Sequence, residues 1–436
     1  MRSQSPALIF DRPGGSDVPL AVNVFSNRKR FAMALDADPD RLPEVWLERT
    51  GRPIPPVHVS DGPVKENIVL GDDVDLYEIP VPTWNEFDGG PYITFAASVS
   101  QDPVTGSYNA GIYRHQVFDR NTLGILAAPY THIMQQRAKQ PTGPFPVAIV
   151  IGADPSLVLV GAAPFPLGVD ELAMAGGLRE QALELVRCET IPLHAPATAE
   201  YILEGEIWPD DTMVEGPFGE FAGYYGSQLK RQVVRIKAIT HRDTPIHHAT
   251  YTGLPPHESA LITSIPREAE IMRSVSLAGL LKVHVTESGC GAFNVIVQIN
   301  KLYEGYGKLM GMSILGSPVG RYVKNLIVVE EDVDPFDHTQ VEWALATRVQ
   351  PHRDVDIVND ATGVILDPSL PESETRGATV RGSKMISDAT RYNAKTYPQL
   401  ARPEVQTMEK VERNWDSYRI PTGSGRRSGA LTATRD

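Results

Sequence analysis

The stretch EGPFGEFAGYYG, Glu215 to Gly226, carries two glutamates five residues apart around a Gly-Pro-Phe-Gly turn. A surface turn uses Asp, Asn or Ser more readily, and it does not need the aromatic residues that surround these acids. One hypothesis is a strand–turn–strand corner with two solvated glutamates. The other is an acid/base pair in a pocket whose aromatic walls raise the pKa of a carboxyl group.

Length and composition indicate a multidomain globular protein. The chain has 436 residues, which predicts two or three domains, and it is 42% hydrophobic and 22% charged, as is typical of an enzyme. A formal net charge of −13 argues against a nucleic acid or an anionic membrane as partner. The two cysteines, Cys188 and Cys290, provide neither a disulfide framework nor a thiolate metal site, which fits a reducing cytoplasm.

Neither a secretory signal nor a membrane segment is expected. The start MRSQSPALIFDRPGG has no continuous apolar core of the kind a signal peptide needs. The longest apolar stretch, residues 145–169, is interrupted by Asp154, Pro155 and several glycines. Its pieces are shorter than the ~20 residues that span a bilayer. We therefore expect a cytoplasmic protein.

The order of apolar patterns predicts the α+β fold class. Between about residues 70 and 250, short alternating or apolar runs bounded by Gly, Pro, Asn and Asp predict strands, and 156–163 is interpreted as one of them. A helix is predicted within 169–183, which starts at acidic residues. Residues 257–282 are interpreted as a connecting helix that Pro266 kinks or divides.

An α/β segment is predicted after the connecting helix. The run VHVTESGCGAFNVIVQINK is interpreted as strand, and so is YVKNLIVVEEDVDP, whereas HTQVEWALATRV predicts a helix. Lys384, in RGSKMISDATRY, is placed at the start of a further helix, where a phosphate could bind.

Three dispersed polar residues form a possible metal site. Asn109, His132 and Glu171 together offer an amide oxygen, an imidazole nitrogen and a carboxylate, a hard ligand set suited to Mn²⁺ or Mg²⁺. Each has an ordinary alternative, because a lone histidine is often structural and a helix dipole already favours Glu171. A metal held here could bridge to a phosphate, with Lys384 adding a second positive charge.

Arg114 is the natural partner of the two glutamates. It would clamp a carboxylate beside an acid/base pair made of Glu215 and Glu220. Asn109 and Arg114 are five residues apart in a predicted strand, so they point to opposite faces unless the strand bends or bulges at Gly111. An arginine for a carboxylate, an acid that donates a proton and an anchored phosphate together suggest decarboxylation.

At this point the sequence resembles the UbiD family of prenylated-flavin-dependent decarboxylases. The resemblance extends over roughly residues 60 to 400 and is carried by five motifs in order. These are NAGIYR, PYTHI, FPLGVDELAMAGGL, EGPFGEFAGYYG and GSKM-x2-DAT.

The resemblance implies an architecture. An N-terminal α/β domain (1–75) would precede a central split β-barrel that binds the flavin (76–256). The connecting helix (257–282) would lead to a C-terminal α/β oligomerisation domain (283–436), which forms a homodimer, sometimes stacked into a hexamer. A flavin prenyltransferase would supply the prenylated FMN.

The resemblance also implies residue roles. Asn109, His132 and Glu171 would bind the Mn²⁺ or Mg²⁺ ion that holds the flavin phosphate, with K⁺ nearby. Arg114 would bind the substrate carboxylate, Glu220 would protonate the carbon that loses CO₂, and Glu215 would balance the charge while the flavin acts as electron sink. Further contacts to the cofactor would come from Gly111, Ile112, Tyr113, Arg114, Thr131, His132, Ala162, Ala163 and Lys384.

The substrate is less defined. Asn294 lies where some furan-dicarboxylate relatives have a histidine, so a second carboxylate is disfavoured if Asn294 lines the pocket; a plain strand residue is the alternative. We expect a monocarboxylic aromatic or heteroaromatic acid, or an acrylic acid, and the reaction could run as carboxylation. Two rival functions are a two-carboxylate hydrolase using Glu215 and Glu220, and a non-catalytic subunit of a larger carboxylase.

Overall fold

The structure is a computed structural model that describes residues 6–370, 380–393, 395–401 and 403–418. Its strands are β1 (Leu8–Phe10), β2 (Leu20–Val22), β3 (Val57–His58), β4 (Asn67–Leu70), β5 (Tyr92–Gln101), β6 (Tyr108–Asp119), β7 (Thr122–Gly124), β8 (Phe145–Ile151), β9 (Glu184–Arg187), β10 (His194–Pro196), β11 (Tyr201–Ile207), β12 (Thr212–Glu215), β13 (Leu229–His241), β14 (His247–His248), β15 (Leu280–Val285), β16 (Asn294–Ile299), β17 (Asn325–Glu330), β18 (Val355–Thr362) and β19 (Arg381–Asp388). Its helices are α1 (Arg28–Ala34), α2 (Leu42–Thr50), α3 (His132–Ala138), α4 (Pro155–Gly161), α5 (Glu171–Leu178), α6 (Glu258–Ser274), α7 (Tyr306–Leu315), α8 (His338–Arg348), α9 (Pro351–Asp354) and α10 (Val405–Arg413).

A closed β-barrel occupies the middle of the chain. Its strands follow the order β11-β8-β5-β6-β7-β13, and β11 pairs with β13 to close the ring. Strands β4 and β12 extend β13 outside this ring. The prediction of an α+β fold with a central barrel is therefore confirmed.

Alternating side chains of the barrel strands enter two separate hydrophobic cores. On β8, Val147, Ile149 and Ile151 belong to one cluster, whereas Ala148 and Val150 belong to the other. The first cluster also takes residues of β11 and β13, so it fills the barrel. The second includes residues of α2, α4, α5 and α6, so it joins the outer wall to the surrounding helices. This period of two is the pattern expected of strands buried on both faces.

The stretch 156–163 was predicted to be a strand, and this prediction was wrong. It forms helix α4, because the Asp154 side chain accepts a hydrogen bond from the Ser156 amide (2.9 Å) and Pro155 occupies the first turn. Both are helix-start signals. The Val and Leu side chains of α4 are buried in the outer core, and this packing overrides their preference for strands.

The connecting helix is shorter than expected. Helix α6 begins after His257, whose side chain accepts a hydrogen bond from the Ala260 amide, and it ends at Ser274 rather than at residue 282. Pro266 lies within the helix without dividing it into two elements. Leu280 already starts a strand of the C-terminal sheet.

The C-terminal sheet has the order β15-β16-β17-β19-β18, with a parallel centre and antiparallel edges. The run VHVTESGCGAFNVIVQINK contributes two strands, β15 and β16, joined by a turn, and not one. Lys384 lies on β19, so the prediction that it starts a helix was also wrong. Within the described part of the chain, no helix is both long and apolar enough to cross a membrane.

Gly111 does not bend the strand that carries it. Strand β6 pairs regularly with β5 from Tyr108 to Tyr113, and Gly111 lies opposite Ser98. The irregularity falls instead on β5, between Ile93 and Ala96. A β-carbon on Gly111 would overlap the ring of Tyr113, two residues along on the same face. Glycine is therefore needed to make room for that ring.

We expect Gly111→Ala to force the Tyr113 ring to move, because it adds a methyl group where the ring already lies. The free energy of unfolding should fall by about 1–3 kcal/mol, as is common for overpacking. In a Tyr113→Ala background the same glycine substitution should cost far less. Urea unfolding of the four proteins of this double-mutant cycle measures the difference, and equal costs in both backgrounds would contradict the packing argument.

Candidate active site

One buried arginine holds the two glutamates of the opening motif. Arg114 donates from Nε to Glu215 Oε1 (2.9 Å) and from Nη2 to Glu215 Oε2 (3.0 Å), which is a bidentate pair. Its Nη1 donates to Glu220 Oε1. Arg114, Glu215 and Glu220 are 9%, 1% and 8% exposed, so the hypothesis of two solvated glutamates was wrong.

Backbone contacts of the intervening loop fix both acids. Glu215 is the last residue of β12, paired with Leu229 of β13. Gln116 Oε1 accepts a hydrogen bond from the Gly216 amide (3.0 Å), and Asp88 Oδ1 accepts one from the Gly219 amide (2.9 Å). The loop is thereby tied to β6 and to the segment before β5. This places a carboxylate on each side of Arg114.

Aromatic rings cover the ion cluster. The guanidinium carbon of Arg114 lies 4.8 Å from the ring centre of Phe218 and 5.9 Å from that of Tyr92. Burial alone would lower the pKa of Arg114, but Glu220 and Glu215 raise it, so the arginine stays charged. Burial also raises the pKa of Glu220, despite the opposing charge of Arg114. Glu220 therefore holds its proton more firmly than an exposed glutamate does.

Two of the three predicted metal ligands, His132 and Glu171, lie together beside the start of β6, which carries the third, Asn109. His132 begins α3, and its Nδ1 lies 3.2 Å from Glu171 Oε1. Glu171 Oε2 accepts a hydrogen bond from the Ala110 amide (2.6 Å), which holds the start of α5 against β6. Asn109 is buried beside Ala110, and its amide nitrogen donates to Ser100 Oγ (3.3 Å).

This ligand set fits a hard divalent ion. Two ligand atoms at about 2.1 Å from a metal in octahedral geometry are ~3 Å apart, close to the separation of His132 Nδ1 and Glu171 Oε1. Across the described ranges there is no cluster of three or more His, Cys, Asp and Glu side chains suited to a metal. His132 and Glu171 would supply two ligand atoms, and the amide oxygen of Asn109 would be the third.

Strand β6 connects the two parts of the site. Asn109 and Arg114 are five positions apart on extended strand, which corresponds to roughly 16 Å. Between them lie Ala110, Gly111, Ile112 and Tyr113. Because β6 pairs regularly with β5 through Gly111, the alternation of strand side chains places Asn109 and Arg114 on opposite faces of β6, and a ligand that reaches both would need to be about this long.

Other predicted cofactor contacts surround this strand. The Tyr113 side chain lies near Thr131, the residue before His132. Ala162 and Ala163 follow the end of α4 and pack against the outer core. The preceding residue, Gly161, lies next to the Ile112 side chain. The structure therefore brings these residues close to β6.

Two predicted site residues lie on strands of the C-terminal sheet. Lys384 Nζ donates to the carbonyl oxygens of Gly320 (2.8 Å), Arg321 (3.2 Å) and Val323 (2.6 Å), and burial lowers the pKa of Lys384 to about 8. Asn294, on β16, accepts a hydrogen bond from Asn325 of the neighbouring strand (2.8 Å). Their roles toward cofactor and substrate stay predictions.

A cavity of about 240 Å³ lies beside the ion cluster. Its walls include Ile112 to Arg114 of β6, residues 218–221 of the glutamate loop, and one face of α6. The α6 face is formed by Ser259, Thr263 and Arg267, which the sequence analysis did not select. Their spacing of four residues, which places them on one helix face, was the available signal.

The arrangement is suited to removing a carboxylate and replacing it with a proton. Arg114 has five N–H groups, and three are engaged by the glutamates, which leaves two for a ligand carboxylate. Glu220, on the same cavity wall, is an acid with a raised pKa. Arg114, a cation that can bind a carboxylate, therefore lies next to Glu220, an acid that can donate a proton.

Comparisons with known proteins agree along most of the chain. Residues 1–50, 56–255 and 260–389 match the N-terminal, Rift-related and C-terminal domains of 3-octaprenyl-4-hydroxybenzoate carboxy-lyase, UbiD. An uncharacterised protein of Archaeoglobus fulgidus is 32% identical, over 96% of this chain and 91% of the relative.

Solved structures show the same fold. The UbiD-class enzyme HmfF of Pelotomaculum thermopropionicum, in complex with FMN, is 36% identical with a TM-score of 0.84, over 93% of this chain and 91% of that one. Vanillic acid decarboxylase of Sedimentibacter hydroxybenzoicus is 32% identical (TM-score 0.82, 95% and 90% covered). The 3,4-dihydroxybenzoic acid decarboxylase of Klebsiella pneumoniae is 28% identical (TM-score 0.83, 94% and 89% covered). This chain belongs to the UbiD family of carboxy-lyases.

Proposed function

We propose that the protein is a prenylated-FMN-dependent decarboxylase of a small aromatic or heteroaromatic carboxylic acid. The observation that carries the proposal is the Arg114 guanidinium held between two buried glutamates, one of which has a raised pKa. Relatives with FMN or prenylated FMN bound, and relatives that decarboxylate aromatic acids, support it.

Each side chain of the ion cluster has a distinct task. The two free N–H groups of Arg114 bind the substrate carboxylate and orient it. Glu220 donates its proton to the carbon from which CO₂ leaves, and it regains a proton from solvent. Glu215 keeps Arg114 in place and offsets its charge. Phe218 and Tyr92 exclude water from this cluster, which strengthens its electrostatic interactions.

The cofactor supplies the electron sink for decarboxylation when it is bound. Asn109, His132 and Glu171 would hold a Mn²⁺ or Mg²⁺ ion for its phosphate, with K⁺ nearby and Lys384 as a further contact. A flavin prenyltransferase would provide the cofactor, and the protein would act as a homodimer or hexamer in the cytoplasm. Membership of the family supports the choice of cofactor, and the chemistry of the three side chains supports the choice of metal.

The cavity favours a compact substrate. Its volume of about 240 Å³ is below the 300–1,000 Å³ of typical ligand pockets. Because Ile112, Tyr113 and Arg114 of its wall are also proposed cofactor contacts, the room left for the substrate is smaller still, which suits a one-ring acid. A two-carboxylate hydrolase has less support, because Glu215 and Glu220 are both bound to one guanidinium and neither is free to act as a base.

We predict that Glu220→Gln lowers turnover by 10²-fold or more, because the amide cannot donate the proton, while the flavin stays bound. The protein is purified from cells that also produce the flavin prenyltransferase. Its absorbance spectrum reports the flavin, and release of CO₂ from aromatic acids reports turnover. Glu206→Gln is the matched control, since Glu206 pairs with Lys237 on the barrel surface (3.0 Å). Turnover by the Glu220 variant at the wild-type rate would remove it as the proton donor.

We predict that His132→Ala weakens Mn²⁺ binding by at least 10-fold, because it removes one of three protein ligands. Flavin retention should fall with it, since the phosphate loses its metal link. Metal analysis and absorbance of the purified protein measure both. The exposed His352 provides the control variant His352→Ala. Full metal and flavin content in the His132 variant would contradict the proposed metal site.

A further inference from the structure

A second arginine lines the cavity that contains Arg114 and Glu220. Arg267 lies on α6, two helical turns after Ser259 and one turn after Thr263, and all three face the cavity. The two hydroxyl groups already have protein partners. Ser259 Oγ is bonded to His257 Nδ1 (2.7 Å), and Thr263 Oγ1 lies 3.1 Å from the Ala260 carbonyl oxygen. Arg267 is therefore the group on this face with hydrogen-bond donors to spare.

Arg267 has no acidic partner in the described part of the chain. Its Nη1 donates to the Gly291 carbonyl, and its guanidinium carbon lies 4.4 Å from the ring centre of Tyr322. Its Nε is buried and makes no hydrogen bond. Burial lowers the pKa of Arg267, Tyr322 and Arg321 also influence that pKa, and no carboxylate is among the groups that do. Arg114, by contrast, is bound by two carboxylates.

An unpaired guanidinium at a cavity wall calls for an anionic ligand. Arginine stays protonated in proteins, and a buried charge without a counter-charge is costly. The phosphate of a cofactor is one possible source of that counter-charge. The residues that fit a phosphate-bound metal, Asn109, His132 and Glu171, do not line this cavity, whereas the proton donor Glu220 does. The substrate is therefore the better source.

We propose that Arg267 is a specificity-determining residue that binds a second anionic oxygen on the ring of the substrate acid. The oxygen belongs to a second carboxylate or to a phenolate, and the site thereby prefers dicarboxylic or hydroxyaryl acids to simple monocarboxylic ones. This inference rests on the proposed function and reverses the expectation drawn from Asn294. That residue lies on β16 and does not line the cavity.

The test compares matched ligands on flavin-loaded protein. Binding of benzoate, benzene-1,4-dicarboxylate, benzene-1,3-dicarboxylate and 4-hydroxybenzoate is measured by calorimetry for the wild type, Arg267→Gln and Arg267→Lys. Arg273→Gln is the control, since Arg273 lies on the same helix and does not line the cavity. The wild type should bind at least one doubly substituted acid about 10-fold or more tightly than benzoate, as a charge-assisted hydrogen bond would allow. If a dicarboxylate binds more tightly than 4-hydroxybenzoate, the second group is a carboxylate. If 4-hydroxybenzoate binds more tightly, the second group is a phenolate.

In Arg267→Gln this preference should disappear while benzoate binds as before. Arg267→Lys should retain part of it, because the charge remains and the planar fork is lost. Equal weakening for benzoate and for the doubly substituted acids would overturn the inference. So would loss of flavin from Arg267→Gln but not from Arg273→Gln, because Arg267 would then serve the cofactor.

The outcome separates the two proposals. If the wild type shows the preference and Arg267→Gln loses it, the inference holds even where no acid releases CO₂, and only the proposed function fails. If acids are decarboxylated but the wild type shows no preference for a second anionic group, the proposed function stands and the inference fails.

Discussion

The Arg114 guanidinium, buried between Glu215 and Glu220, is the interaction on which the site depends. Removing a charged group from water is costly, and a buried cation is tolerated only when its hydrogen bonds and its charge are satisfied. Two carboxylates satisfy it here. With both glutamates ionised, however, the buried cluster would carry a net charge of −1, which is costly away from water. The raised pKa of Glu220 resolves that excess, because a proton on this carboxyl group leaves Arg114 and Glu215 as a neutral pair.

The barrel is the rigid support for this cluster. Strand β6 carries Asn109, Arg114 and the proposed cofactor contacts between them. It pairs with β5 from Tyr108 to Gln116, and its end, from Val117 to Asp119, pairs with β7. Gln116, on the same strand, binds the loop that carries Glu215 and Glu220. Helix α6 then packs against the outer wall and contributes Arg267 to the same cavity. Secondary structure elements and their direct hydrogen bonds thus fix the positions of Glu220, Arg114 and Arg267.

The sequence predicted the parts of this account that depend on local pattern. Alternation identified the barrel strands β5, β6, β8 and β13, and the aromatic residues around Glu215 and Glu220 indicated a buried acid pair. Helix α4 was missed because a short apolar run does not distinguish a buried helix from a strand, although Asp154 and Pro155 signalled the helix start.

Residues placed by long-range contacts were harder to predict. Lys384 lies on a strand because β19 pairs with β17 and β18, and these partners are distant in the sequence. The environment of Asn294 is set by Asn325 on an adjacent strand. Arg267 could be selected only once the cavity-facing side of α6 was known. The prediction of a bend at Gly111 was wrong, because the need for glycine there comes from the Tyr113 ring, which only the packed structure shows.

The most direct test is the protonation state of Glu220 in the flavin-loaded enzyme. Infrared difference spectra recorded across a pH titration, for the wild type and Glu220→Gln, isolate the carbonyl stretch of that protonated carboxyl group. Because burial raises its pKa, the protonated form should persist above the pH at which an exposed glutamate ionises, about 4.3. The protonated form should disappear only as the pH rises through the raised pKa of Glu220. A Glu220 carboxyl that is already ionised at or below the ordinary value would contradict the account.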